Sequence, residues 1–255
     1  MSRGSIALED VLQFMDAALG IPGFPDYEGA ANGLQVEGPG PVTRVGAAVD
    51  ANTLTVAAAV ERKVDLLVVH HGLFWEGLRP LTGHRYRRIL PLLENGIALY
   101  SAHLPLDAHP KLGNAAVLIQ ALGLEPGARF GHFSDTPIGF EASVSDSRKA
   151  FHDKVSAVVG GPVTLVPGGR ESLGRIGVVT GGGASFIREA AEAGLDALLT
   201  GEGAHHTFTE AMELGVNVYY AGHYATETWG VKALAELVGE KFGVPWEFLD
   251  VPSGL

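Results

Sequence analysis

Six of the ten histidines in this 255-residue chain stand where an aliphatic run gives out. His70 and His71 close "LLVVHH", His103 follows "LYSA", His205 and His206 follow "LLTGEGA", and His223 follows "YYAG". Carboxylates accompany them at Asp50, Asp107, Glu202 and Glu227. The chain has no cysteine, so a metal site here must be built from imidazole, carboxylate and water.

Spacing refines that chemistry. Neighbouring side chains on a strand point to opposite faces, so His70 and His71 are expected to serve two neighbouring ions, one ring to each. His223 and Glu227 lie four apart and share one face if a helix has begun there. A carboxylate can bridge two cations and an imidazole cannot, which makes Glu227 the natural shared ligand. Asp107, four residues after His103 in "HLPLD", supplies the second carboxylate. A lone histidine at a strand end is more often structural than ligating; the His-His pair together with "HLPLD" and "HYATE" outweighs that reading. His84, His109, His132 and His152 have no partner at ligand spacing and read as surface or local hydrogen-bonding residues. The triple glycine 181–183 reads either as a phosphate cradle at a helix N-terminus or as a plain tight turn. Phe74 and Trp75, in the turn after the His-His pair, read equally as cover for the site and as ordinary packing.

The elements that must position these groups follow a βαβαβ order. "RVGAAVD" (44–50), "VDLLVVHHG" (64–72) and "IALYSAHLPLD" (97–107) are short apolar runs read as strands, separated by helical "ANTLTVAAAVERK" and "YRRILPLLENG". The order returns in "RIGVVTGGG" (175–183), "LDALLTGEG" (195–203) and "NVYYAGH" (217–223). The interval from Arg44 to Asp65 equals that from Arg175 to Asp196, and "YSAH" is matched with "YAGH", so a degenerate duplication is expected. Ligands of parallel sheets gather beyond the carboxyl ends of the strands, where all these donors fall. The expected architecture is α/β: two interlinked lobes of similar topology with mainly parallel sheets. Residues 1–125 plus 226–255 form the first lobe, and 126–225 the second. An insertion at about 126–170 supplies antiparallel strands, and a helix from about Thr226 to Phe242 leads into an edge strand, "VPWEFLDVP".

Bulk properties exclude some classes. With 29 acidic and 18 basic residues the formal charge is −11 and there is no basic run, which disfavours nucleic acid as a partner. No stretch approaches the roughly 20 apolar residues that span a bilayer. The opening "MSRGSIALEDVLQFMDAALG" reads as an amphipathic helix without the apolar core of a signal peptide, so a cytoplasmic protein with no membrane partner is expected. Charged residues make up only 18%, which points to self-association.

Taken together, "NGLQVEG" (32–38), "VVHHGLFW" (68–75), "YSAHLPLD" (100–107) with "GN" at 113–114, "TGEGAHH" (200–206) and "GHYATE" (222–227) resemble the YbgI-type dinuclear metal-centre family. Its members carry the name GTP cyclohydrolase 1 type 2 homologues. The resemblance runs from near the N-terminus to the last helix and shows no departure at the ligand positions. It implies two divalent cations per subunit in the cleft between the lobes, and a toroidal homohexamer; the imidazole and carboxylate donors leave Fe, Zn, Mn, Ni and Mg open as the metal. It assigns His70, His71, Asp107, His223 and Glu227 as ligands, with Glu227 bridging; His71 and Asp107 share one ion, His70 and His223 the other. His103, Glu202 and His206 then become outer or substrate-facing groups and the candidates for proton transfer.

The activity this implies is metal-dependent hydrolysis of a small molecule, a purine nucleotide by the family name, with water attacking the imidazole-ring carbon of GTP. The contrasting expectation is a non-catalytic metal-binding ring that serves as a partner-binding or chaperone-like scaffold.

Overall fold

The apolar runs become strands because their β-branched and aliphatic residues can be buried on both faces, as parallel strands are. The computed structural model describes residues 6–255, which divide into two units. One is the chain up to Leu106 with Gly230–Val251; the other is Asp107–Trp229 with Pro252–Leu255.

The first unit begins with α1 (Leu8–Leu19), which buries Val11, Leu12, Met15 and Leu19 and ends at Gly20 in the left-handed region. Residues 1–5 of the expected opening helix lie outside the described residues. Then follow β1 (Gly33–Val36), β2 (Val45–Asp50), α2 (Thr53–Glu61), β3 (Leu66–His71), α3 (Gly83–Glu94), β4 (Ala98–Ser101) and the single turn α4 (Leu104–Asp107). Asn52 caps α2 by accepting from the backbone N–H groups of Leu54 and Thr55. The five-stranded sheet runs β1-β4-β3-β2-β11 and is parallel except for β1, where β11 is Trp246–Phe248 at the other edge. The run 97–107 is not one strand. It ends at Ser101, and the chain turns into α4, whose proline sits in the first turn where a missing N–H costs nothing.

The second unit comprises α5 (Asn114–Ala121), β5 (Pro126–Phe133), β6 (Thr136–Ser147), α6 (Arg148–Val159), β7 (Thr164–Pro167), β8 (Ser172–Val178), α7 (Ile187–Glu192), β9 (Ala197–Thr200), α8 (His206–Leu214), β10 (Asn217–Tyr220) and the start of α9 (His223–Phe242). Its six-stranded sheet runs β5-β6-β8-β9-β10-β7. The β8-β9-β10 centre is parallel, and β5, β6 and β7 from the inserted segment are antiparallel.

The unit boundaries differ from the lobes 1–125 plus 226–255 and 126–225. Residues 107–125 fall in the second unit because α5 contributes Ala115, Ala116, Leu118 and Ile119 to that unit's core, against Phe140, Ile176 and Leu199. The later boundary falls within α9, which starts at His223 rather than near Thr226.

The duplication is visible in the backbone. Asp65 accepts from the N–H groups of Thr43 and Arg44 (2.7 and 2.9 Å), and Asp196 from those of Gly174 and Arg175 (2.7 and 3.0 Å). The carbonyl of Asp65 accepts from Ala98 N–H and that of Asp196 from Asn217 N–H. This register pairs Tyr100 with Tyr219, both fully buried, and sets His103 against Gly222. "YSAH" and "YAGH" are therefore one residue out of step, and His223 is the first residue of a helix rather than the end of a strand.

Among the described residues no helix is long and apolar enough to cross a membrane.

Candidate metal centre

In the first unit the donors stand at the carboxyl tips of three adjacent strands. β3 keeps its ladder through His71, whose carbonyl accepts from Ala51 N–H, yet the two imidazoles do not diverge. Their centroids are 4.7 Å apart at 50°. Each ring is instead tethered through Nδ1 to a different neighbouring strand. His70 Nδ1 hydrogen-bonds the carbonyl of Ala102, beyond β4, at 2.9 Å, and His71 Nδ1 the carboxylate of Asp50, at the end of β2, at 2.8 Å. His103 joins them, 4.9 Å from His70 and 5.6 Å from His71 between ring centroids. A ring nitrogen of each lies within 4.8 Å of the others, so the group could hold a metal ion.

His103 has its own mounting. Its Nδ1 meets Asp26 at 2.8 Å and its backbone N–H donates to Asn32 Oδ1 at 2.7 Å. Asp26 also accepts from the Asn32 side-chain amide (2.7 Å) and from the N–H groups of Tyr27 (2.7 Å) and Leu104 (3.0 Å). Burial alone would raise the Asp26 carboxyl; the hydrogen bond and charge of His103, with the donors from Asn32 and Tyr27, hold it below the usual carboxylate range. Gln35 clamps the turn after the His-His pair, accepting from Leu73 N–H at 2.7 Å while donating to the carbonyls of Ala30 and Ala31.

The second unit builds its donors on the first turn of α9. His223 Nε2 and Glu227 Oε2 are 3.0 Å apart, and His223 Nδ1 meets Glu202 at 2.8 Å. Burial by itself would lower the His223 imidazole, but the hydrogen bond and charge of Glu227, then those of Glu202, push it up to about 9. Asp107 is buried and accepts from Asn114 Nδ2 at 2.8 Å and Thr180 Oγ1 at 3.3 Å.

The triple glycine makes room for this cluster. Gly181 N–H donates to Thr226 Oγ1 and Gly183 N–H to Thr200 Oγ1, while the Gly181 carbonyl accepts from Gly201 and Glu202. Gly181 has φ +60, and a Cβ there would stand 2.0 Å from Glu227 Oε1, so only glycine leaves room for that carboxylate.

Glu202 is thus a partner of His223, and His103 a member of the first-unit cluster. His206 is exposed as the first residue of α8. Its neighbour His205, with Glu202, Thr207 and Tyr220, lines an open cavity of about 620 Å³ in the second unit. Sequence reasoning missed Asp26, Asn32 and Gln35. Asn32 and Gln35 lie in the quoted "NGLQVEG", and Asp26 carries no local signal for its bond to His103, which lies far along the chain.

Residues 6–253 match the family described as Duf34/NIF3 (NGG1p interacting factor 3). A Deinococcus radiodurans protein named GTP cyclohydrolase 1 type 2 homolog is 41% identical over 99% of this chain and 96% of its own. A Halobacterium salinarum protein of the same name is 48% identical over 90% and 93%. Among solved structures, a Thermus thermophilus protein superposes with a TM-score of 0.89 at 40% identity, covering 98% of this chain and all of its own. The ybgI protein, described as of unknown function, gives 0.91 at 35% identity with the same coverage. With its two sheets, its strand-tip histidines and its full-length relatives, this chain belongs to the DUF34/NIF3 family.

Proposed function

We propose that the chain is a divalent-metal-dependent hydrolase whose ligands are His70, His71, Asp107, His223 and Glu227, with Glu227 the carboxylate shared by a pair of ions. One observation carries the reading. His70, His71, His103 and His223 each engage Nδ1 with a carbonyl or carboxylate oxygen at 2.8–2.9 Å. Such tethers fix the ring plane and turn Nε2 toward the metal in metalloproteins, and they raise ligand basicity. Mixed imidazole and carboxylate donors suit Fe, Zn, Mn, Ni or Mg.

When bound, a pair of divalent cations would supply an acidified water and charge stabilisation for the oxyanion of hydrolysis. The chain's own residues do the rest. Asp50 and the Ala102 carbonyl orient the His-His pair, and Asn114 and Thr180 orient Asp107. His103, whose Nδ1 is anchored on Asp26, can pass a proton at Nε2; Glu202 and His206 are the other proton-transfer candidates.

The name carried by the relatives supports a purine nucleotide as substrate, with hydrolytic opening of its imidazole ring. Exposed Leu78, Leu81 and Leu93 and the low charged fraction support self-association, and with it a cytoplasmic homohexamer. Metal-loaded protein incubated with GTP should yield a formyl-pyrimidine product followed by absorbance. If Mg, Mn, Fe and Zn forms all bind metal and none turns over, the second reading, a non-catalytic metal-binding scaffold, takes its place.

A further inference from the structure

Two aromatic rings beside the first-unit imidazoles are held firmly yet left open. Trp75 is 38% and Tyr27 54% exposed. The Trp75 ring meets His103 at 4.8 Å and 83°, and His71 at 5.8 Å and 77°. Tyr27 lies 6.0 Å from His103 and 6.2 Å from Trp75. Their positions are set by these ring contacts together with backbone and polar clamps. The turn carrying Trp75 is closed by Gly77 N–H on the Phe74 carbonyl at 2.8 Å, and Glu76 within it pairs with Arg85. Gly29 presses on that turn so tightly that a Cβ would stand 2.9 Å from Trp75 Cα. Asp26, adjacent to Tyr27, is locked to His103.

Leaving apolar ring surface in water is unfavourable, by roughly 25 cal/mol per Å². Clamping it there is rational when a ligand covers it. Half-exposed Trp and Tyr give flat, amphipathic surfaces on which planar π systems stack. The two rings are tilted by 57°, too far from parallel to sandwich one ligand ring. One face must do the stacking while the other ring flanks it.

We propose that Trp75 is the stacking face, with Tyr27 flanking, for a planar heteroaromatic ring of the substrate held beside His71 and His103. This deepens the hydrolase reading by naming what recognises the substrate's base, and it rests on that reading only for the reaction that follows. Of the arginines in the following segment, Arg85 is engaged with Glu76 and Arg88 with the Leu73 carbonyl.

The test is equilibrium binding of guanosine, GTP and inorganic tripolyphosphate to metal-loaded protein, by calorimetry and tryptophan fluorescence, with metal content measured on each sample. Guanosine and GTP should bind. Trp75→Leu should weaken guanosine by about tenfold or more, Tyr27→Leu by less, and Trp75→Phe by no more than about threefold, metal content unchanged. Should Trp75→Leu not fold, the Trp75→Phe and Tyr27→Leu pair carries the comparison. Tripolyphosphate binding as tightly as GTP while guanosine does not bind would overturn the proposal, as would guanosine binding unaltered by Trp75→Leu. Ring binding that depends on Trp75 without GTP turnover upholds the stacking wall and removes the hydrolase reading instead.

Discussion

The two halves of this chain share a backbone plan and differ at the tips. Asp65 and Asp196 perform the same bracing of two parallel strands, and Tyr100 and Tyr219 fill the same buried position. In the register these bonds define, His70, His71 and His103 of the first half correspond to Gly201, Glu202 and Gly222 of the second. The first half therefore mounts its imidazoles on strand ends. The second half puts glycine at two of these places and Glu202 at the third, and a Cβ on Gly201 would stand 2.7 Å from His223 Cα, so the first turn of α9 can come close and deliver His223 and Glu227 instead. One frame offers two ways to place a donor: a side chain on the strand tip, or a helix packed against a bare tip.

The contrast is broken most severely at Gly181. Gly181→Ala forces Glu227 aside and should weaken metal binding by up to about 100-fold, whereas Gly182→Ala, with open space around its Cβ, should leave it unchanged; competition with a chelator reads both. Next comes the mounting of the first-half cluster. Asp26→Ala strands the half-buried donors of His103, Asn32 and Leu104 and should cost about 2–4 kcal/mol in urea denaturation of the metal-free protein.

The outer tethers should have smaller and comparable effects. Asp50→Ala frees the His71 ring and Glu202→Ala the His223 ring, each lowering metal affinity by roughly 10-fold, toward the lower end for such groups because both carboxylates are partly exposed. An affinity left at the wild-type level by both would remove the tether argument.

The two halves should also show opposite pH dependences in metal-free protein. His223 is raised from 6.5 to about 9, so its contribution is fully present below pH 6.5 and is lost as pH rises through about 9. Asp26 is lowered from 3.8, so its contribution is present above that value and is lost as pH falls through the lower folded-state value. Glu227→Gln should flatten the alkaline limb and leave the acid limb alone, as followed by thermal unfolding across pH. Metal loading should flatten the alkaline limb too, because the ion replaces the proton on His223.

Much of this was legible in the residues. The strands follow from their aliphatic runs, and the ligand candidates from histidine and carboxylate types at strand ends without cysteine to compete. Strand alternation gave His70 and His71 one ion each; what it could not supply is that their rings lie 4.7 Å apart, each tethered through Nδ1 to a different neighbouring strand. The match of "YSAH" to "YAGH" slipped by one residue because letters resemble each other where hydrogen-bond register does not. The roles of Asp26, Asn32 and Gln35 were hidden for a different reason, since each acts on residues brought near only by folding. The glycines at 181–183 left phosphate cradle and tight turn open, and the threonine partners of the Gly181 and Gly183 N–H groups favour the turn.

The most direct test counts bound metal by elemental analysis after loading with zinc or manganese and exhaustive dialysis, for the unaltered chain and for His70→Ala, His223→Ala and Glu227→Ala. The account predicts about two ions per chain, with each substitution lowering the count and Glu227→Ala lowering it most. An unchanged metal content in all three variants would contradict it.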